Sequence, residues 1–271
     1  MALRRSHAGL LHPAWCRPLL LHGLEPARRL GPDRRLPARH PGQPAGAAHG
    51  HRAGHGALAG TAGHADRLGP AGHAVRLLRL SAPHLRAALP APGAPALAER
   101  ARALLAGAGI AATVDTQRGY DHGTFVPLLV AFPDADVPVL QVSLLGSLSA
   151  QAHLDYGRAL APLRDDGALI IGSGMSYHNM RGYGDPRSTP ISVEFDRWLT
   201  DTLARPAAER DARLAAWDTA AGPAGRLCHP PRAEEHLLPL HVVAGAAGDG
   251  AGRKVFSDEV LRTTISAFRF D

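Results

Sequence analysis

Residues 168–179 read ALIIGSGMSYHN. A short apolar run with two isoleucines passes directly into Gly172-Ser173-Gly174, so the stretch predicts a buried strand over 168–174 that ends in a glycine turn. His178 and Asn179 then stand just past the carboxyl end of that strand, where α/β sheets hold their sites. A histidine on an ordinary surface loop is the competing reading.

The flanks of this strand extend the same pattern. AQAHLDYGRALAPLRDDG (150–167) has helical spacing and stops at Gly167, and VPVLQVSLL (137–145) is continuous and β-branched enough for a second buried strand. APALAERARALLAGAGI predicts a helix that ends where Gly107 and Gly109 fall. Further helices are expected at 192–204, 207–220 and 233–245, with strands near 254–257 and 263–270. The alternation predicts an α/β fold, a central mostly parallel or mixed sheet flanked by helices. With 271 residues, one large domain is the default.

Residues 1–89 do not follow this pattern. They contain thirteen Arg against Glu25, Asp33 and Asp66, no Ile, Phe, Tyr, Lys or Asn, one Val (Val75), and ten of the sixteen His. The whole chain is only +6, so the remainder is net acidic and the basic character belongs to the first third. A segment so poor in β-branched and aromatic residues is expected to form no strands and no core, hence an irregular N-terminal third. Its arginines suggest a nucleic-acid arm, but the lack of Lys and the abundance of His argue against one. No run of eighteen apolar residues predicts a membrane span. The opening MALRRSHAGLLHPAWCRPLLLHG has its apolar run broken by His and Pro, which argues against a signal peptide. Cys16 and Cys228 are too few and too far apart for a Cys-rich zinc module or a disulfide framework, so a reducing cytoplasm is the expected setting.

Two other motifs carry chemistry. RGYDHGTFVPLL sets Asp121 and His122 at the mouth of a helix, with Asp121 most simply read as its N-cap. RAEEHLLPLHVVAGAAG places Glu235 and His236 at the start of an apolar helix, where a satisfied core histidine is the alternative.

In this order, LPAPGAPALAER (89–100), RGYDHGTFVPLLVAFPDADVPVLQVSL, GRALAPLRDDGALIIGSGMSYHN, FDRWL and EEHLLPL resemble the class III extradiol ring-cleavage dioxygenases of the DOPA-dioxygenase type, over about two thirds of the chain. The resemblance implies a catalytic domain over 90–271, one non-haem ion, Fe(II) or Zn(II), and a small aromatic dihydroxy substrate that reacts with O2. It makes His236 a metal ligand. It sets His178 beside or on the metal as the acid and base, and puts His122 in the same pocket. Asp121, Ser173 and Asn179 are expected on the substrate pocket wall. A metal-free binding or scaffold protein on the same fold is the alternative, for which the pocket histidines would be dispensable.

Two further ligands of the family lie in SHG and SAHW motifs near the N-terminus, and neither stands intact here. His22, in LLLHGLEP, is the nearest remnant of the first. Family members also carry approximately DFYGFPxxLYxLRY before the PAPG turn. Were Arg76-Leu77-Leu78-Arg79-Leu80 encoded CGA CTT CTA CGG CTT, a shift of one nucleotide would read GAC TTC TAC GGC TT, which is DFYGF. The same shift allows YALRY under residues 85–89 and IVLVTAHW under residues 51–58. Much of residues 1–89 is thus expected to be a GC-rich gene read out of frame, with the frame restored just before Pro90. Metal binding and turnover are expected to be weak or absent in a chain without those ligands.

Overall fold

The structure, a computed structural model, describes residues 57–61, 74–78 and 89–271, the first two segments as backbone. Strand β1 (Ala57–Thr61) lies between β4 (Val139–Ser143) and β5 (Leu169–Ser173), parallel to both, with Ala57 in register with Val139 and Leu169. Strand β2 (Ala74–Leu78) pairs in parallel with β3 (Ala111–Asp115) and antiparallel with β4. The result is a five-stranded mixed sheet of order β3-β2-β4-β1-β5.

The composition of residues 1–89 predicts no strand, yet β1 and β2 both come from that segment. Backbone pairing accounts for the difference. A strand laid between two others satisfies its N–H and C=O groups on both sides whatever its side chains, a term that residue composition does not register.

Helices cover both faces of the sheet. Along β4, Leu140 and Val142 join the larger core, built with α1 (Pro95–Gly107), α3 (Ala150–Leu160), α5 (Ser188–Leu203) and α9 (Leu238–Ala246). Val139 faces the other way, into a smaller core with Tyr120 and Leu128 around α2 (His122–Ala131). This alternation is the two-residue period of a strand buried on both faces. Helices α3 and α9 cross at glycine, where a Cβ on Gly245 would lie 2.1 Å from the Leu154 carbonyl oxygen. The close approach locks α9, and the turn that precedes it, against the body of the molecule.

Several expected elements are broken up. The 150–167 helix divides at Pro162, whose missing N–H starts α4 (Pro162–Asp165). The 207–220 helix is α6 (Ala207–Ala215) followed by α7 (Trp217–Ala220). A short 3-10 turn, Glu234–His236, precedes α9 where one continuous helix was expected. Strand β3 and helix α8 (Pro223–Cys228) were not anticipated, and the C-terminal hairpin is β6 (Gly252–Val260) with β7 (Thr263–Phe270). Among the described residues no helix is long and apolar enough to cross a membrane.

Candidate functional site

The site is built where two chain segments meet beyond the carboxyl end of β5. One arm, residues 174–179, leaves the strand through Gly174. The other, residues 228–236, joins α8 to α9. Main-chain hydrogen bonds zip them together: the Met175 N–H donates to the His236 carbonyl at 3.0 Å, and the His178 N–H donates to the Cys228 carbonyl at 3.0 Å. A Cβ at Gly174 would fall 2.1 Å from the same His236 carbonyl oxygen. Glycine is therefore what lets the arms close.

Their closure stacks the imidazoles of His178 and His236, with ring centroids 3.4 Å apart and planes inclined by 24°. The Glu235 carboxylate joins them, and one donor atom from each of the three residues lies within 4.8 Å of the others. Both Nδ1 atoms are buried without a hydrogen-bond partner. Buried ring nitrogens are ordinarily satisfied, so two bare ones side by side point to a ligand. Burial pushes the His236 pKa down to about 3, helped by the charges that His178, His229 and His122 would carry. Burial also lowers that of His178. Both rings are neutral at pH 7, with the lone pairs that metal binding requires. Glu235 is shifted upward, first by burial and then by the neighbouring Glu234.

His122 is the first residue of α2 and is exposed; its influence on His236 places it within electrostatic reach of the cluster. Asp121 caps that helix by accepting from the Thr124 N–H at 3.2 Å. The buried Gln141 of β4 fixes the cap from both sides, donating Nε2 to Asp121 Oδ2 at 3.2 Å and accepting the Asp121 N–H at 3.0 Å. Asn179 donates to the Leu227 carbonyl at 2.8 Å and accepts from the Arg181 N–H at 3.1 Å, and it lines a separate cavity of about 300 Å³ with Tyr177, Arg181 and Ser188. Ser173 ends β5, half-buried and in register with Thr61. His22 lies outside the described residues. Glu235 was not singled out as a ligand from sequence. The signal available was its place directly beside His236 in EEHLLPL.

The family model described as the catalytic LigB subunit of aromatic ring-opening dioxygenase matches residues 79–269. The chain belongs to that family. It is 43% identical over 165 residues to a 4,5-DOPA dioxygenase extradiol of Beta vulgaris, covering 59% of each chain. The protein of the same name from Escherichia coli K12 is 38% identical over 161 residues, covering 58% of this chain and 57% of its own. Dioxygenase tasH of Hapsidospora irregularis is 36% identical over 193 residues, which are 66% of this chain and 58% of that one. The chain thus spans about three fifths of the length of these relatives. A crystal structure of an uncharacterized Escherichia coli K12 protein superposes with a TM-score of 0.64 at 27% identity, covering 78% of this chain and 85% of that one.

Proposed function

We propose that the site serves a non-haem, metal-dependent dioxygenase that opens a catechol-type ring at the bond beside its two hydroxyls. The observation that carries this reading is the meeting of two imidazoles, each with an unpartnered ring nitrogen, and a carboxylate, which together offer donors for an ion and a base beside it. Stacking makes the two rings unequal. An imidazole ligates in its own plane at about 2.1 Å, and rings stacked with centroids 3.4 Å apart and planes inclined by only 24° do not both aim a nitrogen at one ion. His236 and Glu235 are accordingly assigned to the ion, and His178 to proton transfer.

When bound, such an ion lowers the pKa of a catechol hydroxyl and couples the electrons of the ring to dioxygen. His178, neutral and half-buried, accepts a hydroxyl proton at a ring nitrogen and returns it as the ring opens. Both oxygen atoms enter the product, a muconic semialdehyde, so no external reductant is consumed. His122 donates a hydrogen bond to substrate or oxygen from the start of α2, held there by the Asp121 cap. The closed arms keep the Nδ1 atoms of His178 and His236 away from water.

An oxygen electrode tests the proposal on a panel of catechols with and without added Fe(II). Slow, Fe(II)-dependent uptake is expected, slow because the SHG and SAHW ligand motifs of the family are not intact in this chain. His178→Asn should lower kcat by about a hundredfold or more, within the range of general acid–base catalysis. Uptake that does not depend on Fe(II), or that is indifferent to that substitution, overturns the reading.

A further inference from the structure

We propose that His229 is a positioning residue that staples the His178 arm to the Glu235–His236 arm. It belongs to the second arm and is fully buried. Its Nε2 lies 3.0 Å from the carbonyl oxygen of Ser176, on the first arm. The other ring nitrogen is 3.4 Å from the Ala233 carbonyl. A neutral imidazole carries one N–H, and the shorter contact places it on Nε2, donating across the gap between the arms.

The surroundings fix both ends of this link. The His229 ring packs against Phe195 at 5.5 Å and meets Trp217 edge-on at 5.9 Å. Trp217 in turn lies under the Arg226 guanidinium, 4.7 Å from its ring centre. Arg226 donates to Glu234 at 2.7 Å and to Asp218 at 2.7 Å, which ties the start of the 3-10 turn to α7. On the opposite arm the Ser176 hydroxyl accepts the Ser266 N–H of β7 at 2.9 Å. Both oxygens of Ser176 are therefore held, two residues before His178. In a niche walled by Phe195 and Trp217 an aliphatic side chain would pack as well. A buried imidazole there is explained by the carbonyl that it satisfies.

The proposal rests on reading the His178, Glu235 and His236 cluster as the site, but only one of its two tests depends on that. The first is hydrogen–deuterium exchange by mass spectrometry on the full chain, comparing wild type with His229→Asn and His229→Gln. The asparagine amide is too short to reach Ser176, whereas the glutamine amide reaches the place of Nε2. His229→Asn should speed exchange over 174–179 about tenfold, with residues 252–270 of the hairpin unchanged, and His229→Gln should restore protection. Wild-type exchange at 174–179 in His229→Asn overturns the proposal. So does a uniform increase that includes the hairpin, the result of a merely structural role. If His229→Asn does not fold, His229→Gln decides alone, with protected arms supporting the staple and unprotected arms refuting it. The second test is titration with Zn(II), where His229→Asn should bind about tenfold to a hundredfold more weakly than wild type and His229→Gln close to wild type. Equal affinity in all three chains counts against the staple, whereas a wild type that binds no zinc leaves the exchange result to decide His229.

Discussion

Gly174 has a carbonyl oxygen of the facing arm where its Cβ would stand, so Gly174→Ala must separate the arms or strain them. The expected cost is about 1–3 kcal/mol of stability, measured by urea unfolding, together with weaker Zn(II) binding. His153 makes a pH prediction. Its Nε2 accepts the Leu145 N–H at 3.1 Å while Nδ1 donates to the Ser149 carbonyl at 2.7 Å, an arrangement open only to the neutral ring. Burial, opposed by the Ser149 bond, lowers its pKa from 6.5 to about 4. The unfolded chain takes up this proton more readily than the folded one, so stability is whole above 6.5 and drains as pH falls toward 4. Between pH 7 and pH 5 the loss from this group is about 2 kcal/mol. Urea unfolding at both values should show it, with a shallower pH dependence in His153→Gln.

At the level of elements, the α2 cap is the clearest single contribution. Asp121→Ala removes the bond to Thr124 and the anchor to Gln141, with an expected loss of about 1–2 kcal/mol and a drop in melting temperature. Arg210 closes the far end of α9. Fully buried, its guanidinium donates to the carbonyls of Ala244, Gly248 and Gly250 and to Asp211. Arg210→Met would leave those carbonyls unsatisfied, at a cost of about 3 kcal/mol or more, read in the same unfolding experiment. Helical spacing anticipated α1 and α3, and continuous apolar runs anticipated β4, β5 and the wholly buried α9. It also read Asp121 as a cap from its place before a helix. Strand β3 escaped because AATVD is short and alanine-rich, with none of its residues fully buried. The sequence places Glu235 beside His236, but helical spacing does not reveal the 3-10 turn that brings the Glu235 carboxylate to the imidazoles. The Ser176–His229 link joins residues far apart in the chain, and no local pattern announces it.

For the molecule as a whole, the change of composition near Pro90 governs what the chain can do. Residues 89–271 hold His122, His178, Glu235 and His236, together with the cores that place them. The ligand motifs that the family carries further upstream are not intact, and the shifted reading of residues 51–89 offers an origin for their loss. Nucleotide sequencing checks that origin. The codons at 76–80 and 85–89 should be those that spell DFYGF and YALRY one nucleotide on, and incompatible codons there refute the shift. The central claim, that His236 and Glu235 hold an ion beside His178, is tested most directly by metal analysis after equilibration with saturating Fe(II) or Zn(II). The account predicts one weakly held ion per wild-type chain and none retained in His236→Ala. An ion-to-chain ratio unchanged by His236→Ala and by Glu235→Gln would contradict it.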